Sequence, residues 1–128
     1  MRVKVDAVPD SPTFPEQADV IVIGGGIIGT SVAYELAKRG VSVALFEKGG
    51  MGCEQSSRNW GWVRQQNRDI YELPMAMHSL QRWSELSDEI GKDLGFRCTG
   101  ILYGTSSTEE LAKWENWGQQ AKNIRFHS

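Results

Sequence analysis

Three glycines with a fixed spacing are the residues of this sequence most suited to chemistry. Gly24, Gly26 and Gly29 form the pattern Gly-x-Gly-x-x-Gly. The first permits a tight turn, the second leaves room for a pyrophosphate against the backbone, and the third lets a helix pack close to a strand. A helix that begins there also offers free N–H groups and its positive dipole end to phosphates. The spacing alone is weak, so the flanking elements decide its meaning.

The residues around the glycines predict a strand, a turn, a helix and a second strand. Residues 19–23 form a β-branched run, which is typical of a strand buried on both faces. Apolar residues four apart from Ile28 to Leu36 predict a helix that Gly40 would end. Residues 41–46 predict the second strand. Together these elements make a βαβ unit of the expected size.

Glu47 follows the second predicted strand, 18 residues after Gly29. In a dinucleotide site a carboxylate at that place accepts hydrogen bonds from a ribose, and it would repel the 2′-phosphate of NADP. Taken alone, the glycines could form a plain turn and Glu47 could be a solvated carboxylate, but their combination favours nucleotide binding. A P-loop is excluded because no Gly-Lys-Ser/Thr follows the glycines. The pattern leaves NAD and FAD open.

The segment after the βαβ unit, residues 49–66, is rich in Gly, Ser, Asn and Gln and has no periodicity. It predicts an extended loop, and loops of this length in a compact domain are usually functional. Its hydroxyl and amide groups suit phosphate and ribitol oxygens. An ordinary polar surface loop is the alternative.

The second half of the chain predicts two further helices and a strand. A long apolar stripe starts between Asp69 and Leu73, and Gly91 would end that helix. Residues 99–103 predict a strand. The pattern Ser-Thr-Glu-Glu that begins at Ser107 matches a capping box and predicts the start of the last helix.

Composition excludes several functional classes. The net charge of −2, without a basic patch, gives no support for nucleic-acid binding. The longest apolar stretch, residues 20–28, is too short to span a membrane. Residues 1–17 lack an apolar core and predict a flexible leader rather than a signal peptide. No carboxylate pair or His/Cys cluster has metal-ligand spacing, so we expect no metal, and neither His78 nor His127 receives a role.

The two cysteines, Cys53 and Cys98, lie far apart in the sequence and form no C-x-x-C pair. A reducing, cytoplasmic location explains them without a metal or a disulfide, although the two could still pair.

Three segments carry a family resemblance. They are the run from Ala18 to Gly29, then Phe46-Glu47-Lys48, and then Ser56-Ser57-Arg58-Asn59-Trp60-Gly61. Together they resemble the FAD-dependent D-amino-acid oxidase superfamily, in the branch with glycine oxidase, sarcosine oxidase and D-amino-acid dehydrogenase. The first two segments occur in many FAD proteins, and the third is more specific. The resemblance extends over about residues 18–120.

The resemblance implies an α/β fold in which a Rossmann-like domain binds FAD and a mixed sheet covers the flavin and holds the substrate. On this basis residues 18–96 are part of the FAD-binding domain, and residues 97–128 begin the substrate domain. Arg64 and Gln65 would lie near the flavin. The resemblance identifies no catalytic residue. The cofactor-binding residues that it implies are Gly24, Gly26, Ile27, Ile28, Gly29, Glu47, Lys48, Ser56, Ser57, Asn59 and Gly61.

The implied activity is oxidation of the C–N bond of an amino acid or secondary amine, with hydride transfer to the flavin. Family members are several times longer, and their substrate-carboxylate clamp lies in a region without an equivalent here. The chain is therefore expected to be a truncated portion, inactive by itself. The alternative is a non-catalytic nucleotide-binding subunit that completes its fold on a partner chain.

Overall fold

The computed structural model describes residues 5–124. The chain divides into two compact units, Met1–Gly61 and Trp62–Ser128. Its elements are β1 (Val20–Ile23), α1 (Ile27–Lys38), β2 (Val43–Phe46), α2 (Leu73–Ile90) and α3 (Thr108–Ala121). This is the mixed α/β architecture that the sequence predicts. Of the predicted leader, residues 5–17 form neither helix nor strand, whereas residues 1–4, like His127, lie outside the described residues.

The two strands of the first unit form a parallel pair in which Val20 lies beside Val43 and Ile23 beside Phe46. Both strands consist of β-branched, aliphatic and aromatic residues, which suit a pleated surface. A parallel connection requires a crossover, and α1 supplies it. Val22 and Ala44 are the buried apolar residues of this pair. The predicted βαβ unit is confirmed.

Burial of β1 on both faces, however, was a wrong prediction. Ile21 is 64% exposed and Ile23 is 88% exposed, whereas Val22 between them is buried. Successive side chains of a strand point to opposite faces of the sheet. Helix α1 packs against the Val22 side of β1, since a Cβ at Gly29 would lie 3.3 Å from Val22 Cγ1, whereas Ile21 and Ile23 on the opposite side stay exposed among the described residues. The predicted stripe on α1 is also partly open, since Ile28 is 78% exposed.

Helix α1 ends at Lys38, and Gly40 follows its C-cap as the sequence predicts. This glycine has φ = +76°, a conformation that costs it no steric strain. The Gly40 N–H donates to the Ala37 carbonyl, and the Val41 N–H donates to the Leu36 carbonyl. This pair of bonds is the Schellman arrangement, which satisfies the last free carbonyls of a helix. It turns the chain back toward β2.

The second unit contains the two predicted helices. Helix α2 begins at Leu73 with Pro74 in its first turn, where the missing N–H costs nothing, and ends at Gly91 with φ = +70°. Leu73 is buried. In α3 the Trp117 indole N–H donates to the Arg68 carbonyl over 2.7 Å, which ties this helix to the segment before α2.

Residues 99–103 do not form the predicted strand. Gly100 has φ = +77°, outside the β region, and the second unit contains no strand with which this segment could pair among its described residues. The segment is irregular, and Tyr103 at its end packs edge-to-face on Trp114 with ring centroids 5.9 Å apart. An apolar run without a partner strand has no ladder to stabilise it.

The capping box before α3 is half formed. Ser107 Oγ accepts a hydrogen bond from the Glu110 N–H over 3.2 Å, as predicted. Glu110 does not return a bond to the Ser107 N–H. Instead, the Ser107 N–H donates to Thr105 Oγ1, and the Thr105 hydroxyl donates to the Glu110 carboxylate. Thr105 therefore links the Ser107 N–H to the Glu110 carboxylate in place of a direct bond between them.

Candidate cofactor site

The glycine turn joins β1 to α1 with little space to spare. Gly24 has φ = +106°, and its N–H donates to the Phe46 carbonyl over 2.8 Å, which extends the strand pairing into the turn. A Cβ atom at Gly29 would lie 1.9 Å from the Gly24 carbonyl oxygen and 3.3 Å from Val22 Cγ1. Only glycine therefore permits this approach of helix to strand, as the spacing predicts.

The start of α1 presents bare backbone to a serine hydroxyl. Gly26 precedes the helix in an extended conformation and makes no side-chain cap. The Ile27 N–H donates to Ser56 Oγ over 2.8 Å, and a Cβ at Gly26 would lie 3.1 Å from the same oxygen. Because Ser56 accepts this bond, its own hydroxyl proton remains available to an acceptor. An anion there would meet a hydroxyl donor at the positive end of the helix dipole.

Glu47 lies immediately after β2 and faces the glycine turn. Its Oε2 accepts from the Gly25 N–H over 2.7 Å, and its Oε1 accepts from the Gly49 N–H over 2.9 Å. These backbone N–H groups, that of Gly25 first, hold the pKa of Glu47 below its ordinary value of 4.5. A carboxylate has about four acceptor positions, so acceptor capacity remains for ribose hydroxyls.

The polar loop predicted after β2 is largely irregular and contains one 3₁₀ turn, Gln55–Ser57. Its polar side chains mainly bind the loop itself. The Ser57 hydroxyl donates to the Cys53 carbonyl over 2.8 Å. Asn59 donates to the Ser56 carbonyl and accepts from the Gly61 N–H, with Gly61 at φ = +71°. Ser57 and Asn59 thus fix the shape of the loop that presents Ser56.

The remaining predicted site residues have fewer contacts with the glycine turn. Ile28 and Lys48 are exposed, and Lys48 makes a small contribution to lowering the pKa of Glu47. Arg64 and Gln65 belong to the second unit. There the Arg64 guanidinium donates to Tyr103 Oη over 3.2 Å and to the Gln66 carbonyl over 3.0 Å. Their place beside a flavin stays a prediction.

Sequence reasoning missed Gly25, the middle of the three consecutive glycines. Gly25 is buried, and its carbonyl accepts from the Gly52 N–H over 2.8 Å. Met51 also reaches it, because a Cβ at Gly25 would lie 2.3 Å from Met51 Sδ. The available signal was the extra glycine, since the fingerprint requires only the first and third of the run.

This donor and acceptor set suits a dinucleotide. The Ser56 hydroxyl, which accepts from the Ile27 N–H, lies at the start of α1 for phosphate oxygens, and a carboxylate with spare acceptor capacity lies beside the same turn for a ribose. A side chain at Gly25 or Gly29 would collide with neighbouring atoms. Within residues 5–124, no group of three or more His, Cys, Asp or Glu side chains is arranged to hold a metal ion.

Comparison with known proteins identifies the family. The family described as "FAD dependent oxidoreductase" (DAO) matches residues 19–127. This chain belongs to that family. FAD is therefore its cofactor type, which resolves the choice between NAD and FAD that the glycine pattern left open. The predicted resemblance to amino-acid oxidases of this superfamily is confirmed.

Two relatives show how much of this chain is matched and how much of the longer proteins it covers. Glycine oxidase of Geobacillus kaustophilus is 35% identical over 99 residues, covering 72% of this chain and 26% of that protein. The beta chain of sarcosine oxidase from an Arthrobacter species is 33% identical over 111 residues, covering 76% of this chain and 26% of that protein. The chain thus spans about a quarter of the length of these relatives.

Solved structures agree in fold. L-amino acid deaminase from Proteus vulgaris matches with a TM-score of 0.83 at 32% identity, covering 93% of this chain and 27% of that chain. L-proline dehydrogenase from P. horikoshii matches with a TM-score of 0.78 at 33% identity, covering 85% and 29%. Within residues 5–124, no helix is both long and apolar enough to cross a membrane.

Proposed function

We propose that this chain supplies the FAD-binding part of an oxidoreductase that oxidises the C–N bond of an amino acid or a secondary amine. The observation that carries the proposal is the glycine turn, with Ser56 at the start of α1 and Glu47 beside it. We assign residues 18–96 to the FAD-binding part and residues 97–128 to the start of the substrate part. The residues proposed to hold FAD are Gly24, Gly26, Ile27, Ile28, Gly29, Glu47, Lys48, Ser56, Ser57, Asn59 and Gly61.

The names of the relatives support the substrate class. Glycine oxidase, sarcosine oxidase and L-amino acid deaminase are all named for amino acids or amines and cover at least 72% of this chain. A glycerol 3-phosphate oxidase also matches, but over only 35% of the chain. We therefore favour an amine over an alcohol as the group oxidised.

Bound FAD would accept the hydride from the carbon next to the amine nitrogen. The chain's own contribution is to bind and orient that cofactor. The bare backbone at Gly26 and the Ser56 hydroxyl would hold its pyrophosphate, and the free acceptor positions of Glu47 would hold its adenosine ribose. None of these groups removes a proton from the substrate, and we propose no turnover by the 128 residues alone.

A partner subunit fits the proposal. One of the relatives is a subunit of opine oxidase from Rhizobium meliloti, 29% identical over 102 residues, and the sarcosine oxidase relative is likewise named as one subunit of its enzyme. We further propose a cytoplasmic location, because Cys53 and Cys98 are exposed free thiols that a reducing compartment would preserve.

The test uses a polypeptide of family length that contains this chain, loaded with FAD under anaerobic conditions. Glycine, sarcosine, L-proline and other amino acids are added in turn, with glycerol 3-phosphate as the comparison. We expect an amino acid or secondary amine to bleach the visible flavin band, with an imine or its hydrolysis product formed in equal amount. Bleaching by glycerol 3-phosphate but by no amine would refute the proposed substrate class.

A further inference from the structure

Gly25 lies at the centre of a set of contacts that the glycine pattern does not require. It is buried, and its φ is not among the positive values that demand glycine in this chain. Its N–H donates to Glu47 Oε2 over 2.7 Å, and its carbonyl accepts from the Gly52 N–H over 2.8 Å. Both polar groups of one turn residue are therefore bound to the segment that follows β2.

The space around Gly25 explains why this position has no side chain. A Cβ would lie 2.3 Å from Met51 Sδ, 3.1 Å from Glu47 Cβ and 3.2 Å from Glu47 Cγ. The end of the methionine could move, but the stem of Glu47 is attached to β2 and has less freedom. A methyl group at position 25 would therefore push the carboxylate away from the turn.

The second carboxylate oxygen of Glu47 extends these contacts into the loop, because it accepts from the Gly49 N–H over 2.9 Å. Met51 lies between Gly49 and Gly52 in the sequence, and its side chain packs over the turn. One carboxylate thus joins the glycine turn to the start of the loop that carries Ser56.

We propose that Glu47, Gly25 and Gly52 form a latch that fixes the cofactor loop on the glycine turn before any cofactor binds. Glu47 is then a positioning residue for Ser56 in addition to its role as a ribose acceptor. The latch stands on contacts within the chain, and only its purpose rests on the proposed function. If Glu47 served only as a ribose acceptor, its replacement would leave the cofactor-free chain unchanged.

The test measures amide hydrogen exchange and amide proton shifts at positions 25, 49 and 52 in the cofactor-free 128-residue chain. Wild type is compared with Glu47→Gln, which keeps the shape but replaces one acceptor oxygen with an NH₂ group. Gly49→Ala is the matched control, because its Cβ would lie at an ordinary 3.8 Å from Glu47 Oε1. ADP binding is measured in parallel, since ADP contains the ribose and pyrophosphate without the flavin.

The latch predicts protected, downfield-shifted amides at 25 and 49 in wild type and in Gly49→Ala. In Glu47→Gln exchange at one or both should rise by at least about tenfold, the change expected for losing a charge-assisted hydrogen bond. If Glu47→Gln unfolds, Gly25→Ala tests the latch in its place. In that variant the exchange rate of the Gly52 amide, which donates to the Gly25 carbonyl, should rise by a similar factor. Unprotected amides in wild type, or unchanged exchange in a folded Glu47→Gln chain, would overturn the latch; where that variant unfolds, unchanged exchange at Gly52 in Gly25→Ala would overturn it.

The ADP measurement separates the latch from the proposed function. If Glu47→Gln weakens ADP binding while cofactor-free exchange stays the same, Glu47 acts only on the ligand, so the latch is wrong and nucleotide binding stands. If the latch signals are present but wild type does not bind ADP, the latch stands and the proposed cofactor role fails.

Discussion

Replacing Gly29 by alanine tests the packing of the glycine turn most severely. The new Cβ would lie 1.9 Å from the Gly24 carbonyl oxygen, which is backbone and cannot rotate away. Helix and turn would have to separate by about 1.5 Å to restore an ordinary van der Waals contact. Overpacking of this kind costs typically about 1–3 kcal/mol, and the rigid neighbour favours the upper end. Alanine recovers about 1 kcal/mol of helix propensity, so we expect a net loss of about 2 kcal/mol in the free energy of unfolding.

Urea unfolding of the purified chain measures this difference. Gly118→Ala is the control, because Gly118 lies within α3 and a Cβ there would meet nothing within 4 Å. That variant should gain about 0.5–1 kcal/mol, since alanine loses less backbone entropy in a helix. A Gly29→Ala chain as stable as wild type would refute the close approach of α1 to the turn, whatever the control shows.

Three further predictions each test one local interaction. Ser107→Ala removes the hydroxyl that caps α3, so unfolding free energy should fall by about 1 kcal/mol; an unchanged urea midpoint would contradict the cap. Gly26→Val fills the 3.1 Å space in front of Ser56 and should abolish FAD binding with helical circular dichroism preserved; retained binding would sink the site assignment. Because the folded-state pKa of Glu47 lies below 4.5, its contribution to stability is present above that pH and is lost as pH falls through the lowered value. Acid titration of unfolding should show this loss in wild type and not in Glu47→Gln.

Local signals explain the parts of the fold that the sequence predicts correctly. The β-branched run of β1, the helix stop at Gly40 and the start of α2 beside Pro74 each depend on neighbours within one or two turns of chain. The backbone preferences of such residues are set by steric limits that operate anywhere. The glycine spacing belongs to the same class, since Gly29 must approach Gly24 for the unit to close.

The wrong predictions concern contacts between distant segments. Residues 99–103 have the composition of a strand, but a strand needs a partner, and Gly100 adopts a conformation outside the β region. The burial of Ile21 depends equally on what covers its face of the sheet. Composition of one segment carries no information about its neighbours in space.

Within the candidate site, residue types were predictable and their contacts were not. Glu47 was expected to bind a ribose, yet in the structure it first binds two backbone N–H groups. Asn59 was predicted at the cofactor, a role that stays a prediction, and both ends of its amide bind the loop. Polar side chains satisfy nearby backbone groups whenever geometry allows, and that geometry appears only once the loop is folded.

Retention of FAD by the purified 128-residue chain is the most direct test of the proposed cofactor site. The chain is incubated with FAD, free flavin is removed by gel filtration, and the visible absorption spectrum of the protein peak is recorded beside that of Gly26→Val. We predict a flavin spectrum with wild type and none with the variant. A wild-type peak with native circular dichroism that elutes without flavin would contradict the claim that these residues form an FAD site.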